Sequence, residues 1–223
     1  MRILGIETSS RRGSVALLED ERCVAQIEHE QPNAHAERIL TLLNRAFSEA
    51  GWSRTSLDRI AVGTGPGSFV GLRVGIAVAE GLGIGLSRPV VGVSSLQAML
   101  RATPPDLCEA RIALLDARRG EAFAAAEDNL GRALLPPCTI PLERLATELL
   151  AIAPRPLLIG EILVPDFDAT HLRGPHTDLP HARWVAELAR RLDPSVAPAV
   201  PEYVRGPGAT LPKLPPSPLR AQS

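Results

Sequence analysis

A glycine-rich stretch from Gly63 to Leu86 constrains this chain more than any other part of its sequence. It holds eight of the chain's 18 glycines. Its first five residues, 63–67, alternate glycine with other residues and predict a turn, because glycine adopts positive φ at little cost. Ser68 is suited to cap a following helix, since a serine hydroxyl accepts a hydrogen bond from the first helical turn.

Residues 69–86 then predict one helix that is apolar on nearly every side. Its only charged residues are Arg73 and Glu80. Such a helix has to be covered on both faces. One face can lie on a sheet, and small residues at four-residue spacing predict a flat strip for a second helix; these are Gly71, Gly75 and Ala79. Either the rest of this chain or a partner subunit covers that strip, and both alternatives stay open.

Known phosphate-binding and nucleophile motifs do not fit this stretch. A P-loop requires a lysine, and the chain's only lysine is Lys213. The run from Gly65 to Gly71 has one residue too many for the dinucleotide-binding pattern G-x-G-x-x-G. Pro66 stands where the nucleophile elbow G-x-S-x-G requires glycine. We therefore interpret Ser68 as a helix cap and not as a nucleophile.

Composition limits the classes of protein that this chain can be. Its 223 residues are 45% apolar, which suffices for a core in one large domain or two small ones. A net charge of −1 and 3% aromatic residues argue against independent binding of RNA. Three widely spaced cysteines indicate neither a disulfide framework nor a zinc knuckle. We expect a cytoplasmic protein without a membrane span, since the sequence begins directly with a predicted strand and residues 69–86 carry two charges.

The order of strands and helices predicts an α/β protein of two similar halves. In each half an apolar strand ends in an acid, at Glu7 or Asp116, and an Arg-Arg-Gly turn leads into a returning strand. Two halves about a hundred residues apart indicate a duplicated unit. We predict subdomains at residues 1–103 and 104–205, the second ending in a helix at 181–192, and a disordered proline-rich tail at 206–223.

The paired acids suggest one site for chemistry. Two such hairpins facing each other across a cleft are typical of sugar-kinase and actin-like ATPases, in which carboxylates hold Mg²⁺ and loops hold phosphates. Glu7, Ser9 and Asp116 are the candidate cofactor-binding residues. The loop at residues 9–12, Ser-Ser-Arg-Arg, lacks the glycines that let a phosphate approach. The alternative is that both acids cap their turns or pair with the neighbouring arginines.

Metal ligands and catalytic groups are not apparent in the sequence. The five histidines include no pair at i, i+4. His171, His176 and His181 recur every fifth residue, but they lie among prolines and a glycine in a predicted loop. We therefore predict no metal site and no catalytic residue in this chain.

Several segments of the chain resemble the bacterial TsaB family. The matching segments are MRILGIETSS, SVAL, HAERIL, GPGSFVGLRVGIAVAEGL, PVVGVSSL, DARRGEAF and PEYVR. The resemblance covers about residues 1–128 and 201–205, and the glycine-rich helix is its most specific part. It departs from the family at Val70, where threonine is usual, and at Glu7, where aspartate is frequent. Residues 129–200 match little.

The resemblance implies a two-subdomain sugar-kinase/actin/Hsp70-like fold, a duplicated ribonuclease-H-like α/β arrangement. It also implies a non-catalytic subunit that activates the catalytic paralogue TsaD. That enzyme transfers a threonylcarbamoyl group to N6 of the adenosine next to the anticodon in tRNAs reading codons that begin with A. TsaD-like subunits carry an H-x-x-x-H metal pair after the strand equivalent to PVVGV, where this chain has Ser95 and Met99.

The family also implies partners. We expect the chain to bind a TsaD-like paralogue and a TsaE-like ATPase, and to form a homodimer when the paralogue is absent. We expect no intrinsic cofactor, although ATP or ADP can lie at the interface of the complex. The chain is expected to contact tRNA only as part of the complex. The interface is predicted on two helices; its residues are Ile39, Leu43, Phe47, Gly71, Val74, Gly75, Val78, Ala79 and Leu82. Two alternatives remain. One is an autonomous ATPase or kinase using Glu7 and Asp116, and the other, which the missing histidine pair disfavours, is a metal-dependent peptidase.

Overall fold

The computed structural model describes residues 1–31, 34–104, 108–165, 167–172, 174 and 176–204. The predicted tail at 206–223 lies outside the described residues. The predicted α/β fold is confirmed, because the chain forms two mixed five-stranded sheets with helices between and outside them.

The first sheet is built from the apolar strands that precede and follow the glycine turn. Its strands are β1 (Arg2–Glu7), β2 (Gly13–Glu19), β3 (Arg22–His29), β4 (Arg59–Gly65) and β5 (Val90–Ser94), in the spatial order β3-β2-β1-β4-β5. β1 is antiparallel to β2 and parallel to β4. The helices of this half are α1 (His35–Ala50), α2 (Phe69–Leu86) and α3 (Ser95–Arg101), with a 3₁₀ turn at Arg54–Ser56.

The second sheet repeats this topology. Its strands are β6 (Ala110–Arg118), β7 (Glu121–Asp128), β8 (Ala133–Pro141), β9 (Leu157–Gly160) and β10 (Thr170–Leu172), in the order β10-β9-β6-β7-β8. As in the first sheet, the first strand is antiparallel to the second and parallel to the fourth. The predicted duplication is therefore confirmed. The later helices are α4 (Leu142–Ile152) and α5 (Ala182–Ala189).

The sequence did not predict β8 and β10. β8 contains Pro136, Pro137 and Pro141, and proline within an apolar run argues against a strand because it cannot donate to the ladder. β8 lies at the edge of its sheet, where a missing donor is tolerated. β10 has three residues and lies at the opposite edge.

α5 packs on the first sheet although it follows the second sheet in the chain. Its apolar side, which includes Val185 and Ala186, shares a core with Ile3 and Ala16. Gly5 of β1 makes this packing close, since a Cβ there would overlap the backbone of Ala182. The last part of the chain therefore returns to the first half, an arrangement that the strand and helix pattern did not indicate; the domain boundaries at residues 103 and 205 stay a prediction.

The packed layers follow from these contacts. α1 and α2 cover one face of the first sheet, and α5 covers the other. α3 packs on the second sheet through Leu96, Met99 and Leu100, and α4 covers the far face of that sheet. α3 and α5 lie side by side between the two sheets and join the halves.

Candidate functional site

Glu7 ends β1 as predicted, but its side chain is fully buried. Its carboxylate accepts hydrogen bonds from the backbone N–H of Ser9 at 2.6 Å and from the Ser95 hydroxyl at 2.8 Å. Burial raises the pKa of Glu7 above its ordinary value, although these hydrogen bonds lower it. Gly63 leaves the space that this carboxylate fills, because a Cβ at that position would overlap it. Glu7 is thus a buried carboxyl group that is hydrogen-bonded within the core.

Asp116 occupies the equivalent position at the second hairpin and is more exposed. Its carboxylate accepts from the backbone N–H of Arg118 at 2.7 Å and pairs with the Arg118 guanidinium at 3.2 Å. This is the local turn capping that the sequence offered as an alternative. Ser9, the third cofactor candidate, is also buried, and its carbonyl accepts from the N–H of Ser68 at 2.6 Å.

An ion pair between the halves lies beside these hairpins. Arg11 of the first hairpin pairs with Glu161, which follows β9. The other carboxylate oxygen of Glu161 is 3.4 Å from the backbone nitrogen of Asp116, which donates to it. A guanidinium and a carboxylate therefore lie between the two loops for which the sequence suggested a nucleotide site.

The small-residue strip of α2 faces inward, which corrects the prediction that it binds a partner. A Cβ at Gly71 or Gly75 would overlap Thr8, just beyond β1. Ala79 has no exposed surface. The Thr8 hydroxyl also donates to the Gly71 carbonyl at 2.8 Å, so this strip is where the helix docks on its own sheet.

The other predicted interface residues are also wholly or partly inside the protein. Ile39, Leu43 and Phe47 of α1 are at most 4% exposed and belong to the core of the first half. Val74, Val78 and Leu82 of α2 are half-buried against the same core. The prediction is therefore wrong for the three α1 residues, because the apolar side of that helix packs on its own sheet, whereas for the three half-buried α2 residues it stays a prediction.

A different face of α2 is exposed. Val70 is 68% exposed and Ile84 is 80% exposed. Between them Ala77, Gly81 and Gly85 form a second row of small residues at four-residue spacing, all exposed. A Cβ at Gly81 or Gly85 would meet open space. This outward face, which we call the outer face of α2, is predominantly apolar.

Aromatic and cationic side chains lie at the start of the outer face. Phe69 stacks on Tyr203 with ring centroids 5.5 Å apart, and both are about half exposed. The Arg73 guanidinium lies 3.8 Å from the centre of the Phe69 ring. Aromatic residues and arginine are frequent in the energetic centres of protein interfaces. Ser68 caps this end of α2 as predicted, accepting from the N–H of Gly71 at 3.2 Å.

Among the described residues, α2 alone has the length and hydropathy of a membrane-spanning helix. One such helix is weak evidence, because a core helix of a soluble protein meets the same criteria. α2 rests on β4 and β1 along one side, which is the packing of a sheet-covering helix.

A cluster of histidines with one glutamate was missed in the sequence. Glu28 of β3 lies 3.1 Å from Nε2 of His181 and 3.6 Å from Nδ1 of His176. The three are the one group of potential metal ligands found among the described residues. The five-residue spacing of the histidines was visible, but Glu28 is far away in sequence and only the return of the chain to the first sheet brings it near.

The duplicated two-sheet architecture, with an acidic residue at or near the end of the first strand of each half, places the chain in the sugar-kinase/actin-like class of α/β proteins. The family model described as TsaD, tRNA N6-adenosine threonylcarbamoyltransferase, matches residues 23–149, more than half of the chain. The chain belongs to this family.

Individual relatives agree with this placement and confirm the predicted resemblance to TsaB. The tRNA threonylcarbamoyladenosine biosynthesis protein TsaB of Escherichia coli (strain K12) is 40% identical over 126 residues, which are 56% of this chain and 54% of that protein. The TsaB protein of Bacillus subtilis (strain 168) is 30% identical over 123 residues, 55% of this chain and 53% of that one. The chain therefore spans about half the length of the curated relatives it matches.

A solved structure is similar in fold to this protein over nearly the whole chain. It is described as an uncharacterized protein from Pseudomonas aeruginosa with similarity to peptidase YEAZ, and it is 28% identical with a TM-score of 0.74. The match covers 92% of this chain and 99% of that one. The similarity in fold thus extends into residues 129–200, where the sequence resemblance was weak.

Proposed function

We propose that this protein is a non-catalytic subunit in tRNA threonylcarbamoyladenosine biosynthesis. In this role it binds a TsaD-type catalytic paralogue and supports threonylcarbamoyl transfer to N6 of the adenosine next to the anticodon. The support is membership of the TsaD family together with relatives that are named TsaB. Such a protein works in the cytoplasm and meets tRNA only through the complex.

The outer face of α2 is the observation that carries this proposal. Single exposed apolar residues are normal on protein surfaces, but a continuous apolar helix face marks an interaction site. The face runs along most of α2, from Val70 to Gly85, and is bounded by Arg73 and Glu80. At its start α2 meets α1 near Ala36, and exposed Leu40 lies one turn further along α1. Two neighbouring helices thus present one surface to a partner.

We expect this surface to bind the equivalent surface of a related subunit. A paralogue of the same fold presents its own α1 and α2, so the two helix pairs can pack about a pseudo-two-fold axis. Small residues at Ala77, Gly81 and Gly85 allow a helix to approach closely. When the paralogue is absent, the same face can close a homodimer.

Two features support a role without catalysis. Ser95 and Met99 stand where TsaD-like subunits carry their metal-binding histidines, and both are fully buried in α3. The Ser95 hydroxyl donates to Glu7, while Met99 packs on the second sheet. Neither a hydroxyl engaged in this way nor a thioether replaces imidazole as a metal ligand.

The hairpin cleft likewise favours a scaffold over an ATPase. Glu7 is buried, Asp116 is bound to Arg118, and Arg11 pairs with Glu161 between the loops. We propose that any ATP or ADP lies at the joint interface with the paralogue, and that the ATPase of the system is a separate TsaE-like protein. The autonomous ATPase remains the alternative.

Reconstitution tests the proposal directly. Purified TsaD-type paralogue, TsaE-type ATPase, tRNA and a threonylcarbamoyl donor are combined with and without this chain. The proposal expects modification only when the chain is present, and none when the paralogue is omitted. Modification by this chain without the paralogue, or equal modification without this chain, would refute it. A titration of the chain alone with ATP and Mg²⁺ separates the alternative, because an autonomous ATPase binds nucleotide tightly and the scaffold does not.

A further inference from the structure

A second site lies where β3 ends, beside the residues that precede α5. Glu28, His176 and His181 offer three ligand atoms within 4.8 Å of one another. The His181 ring has no exposed surface, and the rings of the two histidines meet edge to face at 4.4 Å. Glu28 is 36% exposed, so the cluster is open to solvent on the carboxylate side.

Two ring nitrogens in this cluster lack a hydrogen-bond partner. Nδ1 of His176 and Nε2 of His181 are buried, and neither makes a hydrogen bond of good geometry, although both lie close to the same Glu28 oxygen. Buried polar atoms are nearly always satisfied, so each unsatisfied one requires an explanation. A cation shared by the three side chains supplies one.

The local charge balance also favours a cation. Arg12 is 4% exposed and contacts Glu30 at 2.6 Å, Asp178 at 3.0 Å and Glu28 at 3.7 Å. Three carboxylates against one guanidinium leave two negative charges among these four side chains. The carboxylates of Glu28 and Glu30 are 36% and 51% exposed, and a divalent ion beside Glu28 would compensate this excess.

The two distances from the Glu28 carboxylate are compatible with a bound zinc ion. Zinc bonds to nitrogen and oxygen of about 2.0–2.1 Å place tetrahedral ligand atoms about 3.3 Å apart. The two separations from Glu28 are 3.1 Å and 3.6 Å. Two imidazoles and a carboxylate are a ligand set for zinc or a similar transition metal, not for Mg²⁺ or Ca²⁺. We propose that Glu28, His176 and His181 bind one Zn²⁺ ion, with a solvent molecule as the fourth ligand.

Binding at this site competes with a helix cap. Nδ1 of His181 accepts the backbone N–H of Arg183 at 3.1 Å, which caps α5. When Nε2 binds zinc, Nδ1 carries the proton and this hydrogen bond is lost. One capping hydrogen bond stabilises the protein less than two zinc–imidazole bonds do. We therefore expect zinc to bind despite the loss of the cap, and the ion then holds the start of α5 in place.

The site would fix the return of the chain to the first sheet. His176 has a φ of 71°, uncommon for a residue other than glycine, and its ring lies beside Glu28. Zinc would thus tie the segment that begins α5 to the end of β3. It is a structural site, independent of catalysis and of the partner.

Zinc titration of the full chain tests the site. Zn²⁺ is titrated against a chromophoric chelator, and thermal melting is followed with and without the metal. We expect one equivalent to bind saturably and to raise the melting temperature. His176→Gln and Glu28→Gln should each weaken binding by at least about tenfold and abolish the rise in melting temperature. His171→Gln is the matched control, because His171 lies on β10 outside the cluster and its loss should change neither result.

Three results would overturn the proposal: no saturable binding by the folded wild-type chain, wild-type affinity in both cluster variants, or an equal loss in His171→Gln. If His176→Gln fails to fold, Glu28→Gln gives the same test, since the amide has nearly the shape of the carboxylate and that position is partly exposed. All variants retain the three cysteines, so binding by thiols cannot produce a difference between them.

Discussion

Gly75 packs against Thr8, and a Cβ at position 75 would overlap the Thr8 hydroxyl. Gly81 is on the exposed side of the same helix, where a Cβ would meet nothing. The two glycines therefore report on the two faces of α2: one determines how the helix sits on its sheet, and the other leaves its outer surface flat.

Alanine at these two positions should have opposite effects on stability. Gly75→Ala forces apart the helix and the end of β1 and should cost about 1–3 kcal/mol of unfolding free energy. Gly81→Ala adds no clash and should stabilise the helix by up to about 1 kcal/mol. Urea unfolding of both variants measures this. Equal effects of the two substitutions would mean that α2 is rotated relative to the structure described.

This pair also shows why the sequence misassigned the faces of α2. Two rows of small residues at four-residue spacing run along the helix, one through Gly75 and one through Gly81. Because α2 is apolar on nearly every side, its hydrophobic pattern does not tell which row faces the sheet. The decisive contact is with Thr8, more than sixty residues earlier in the chain, and no local pattern contains it.

The buried Glu7 should make stability depend on pH in a defined direction. Since its pKa is raised in the folded state, the native protein holds this proton more tightly than the unfolded chain. The resulting contribution is fully present below the unfolded pKa and is lost as pH rises through the folded pKa. Glu7→Gln removes this titration, so the stability of the variant relative to wild type should increase from mildly acidic to mildly alkaline pH.

Denaturant unfolding of wild type and Glu7→Gln at a mildly acidic and at a mildly alkaline pH measures this difference in stability. Glu7→Ala also removes the titration, but it deletes the acceptor for Ser9 and Ser95 and should therefore be about 1–3 kcal/mol less stable than Glu7→Gln at either pH. A stability difference between Glu7→Gln and wild type that stays constant with pH would contradict the assigned pKa shift.

The local bonding of Asp116 predicts that its loss has little effect on activity. Asp116→Ala should leave threonylcarbamoyl transfer by the reconstituted complex within several-fold of wild type, and so should Glu7→Gln. A carboxylate that holds catalytic Mg²⁺ typically costs orders of magnitude in rate when removed. A loss of about a thousand-fold with the complex still assembled would show that the hairpin cleft takes part in catalysis.

The repeat could be predicted from the sequence because each hairpin is identified by residues that are close together in the chain. An acid near the end of a strand and an Arg-Arg-Gly turn identify both hairpins; Glu7 ends β1, whereas β6 continues past Asp116 to Arg118. What the acids do was not predictable, since Ser95 lies far from Glu7 in sequence and Glu161 far from Arg11. The cluster of Glu28 with His176 and His181 was missed for the same reason.

The central claim is that the outer face of α2 binds a TsaD-type paralogue, and a matched pair of substitutions tests it most directly. Ala77→Arg places a bulky charge in the middle of that face, whereas Ala151→Arg makes the same change at an exposed position of α4 on the second sheet. Both sites are helical and exposed, so both variants should fold and melt like wild type.

Binding of each variant to the purified paralogue is then measured by titration calorimetry. Our account predicts that Ala77→Arg weakens binding by at least about tenfold, because a charge is left unpaired in a desolvated interface, and that Ala151→Arg binds as wild type does. If folded Ala77→Arg binds the paralogue with unchanged affinity, the outer face of α2 is not the interface and the proposed role of this helix is wrong.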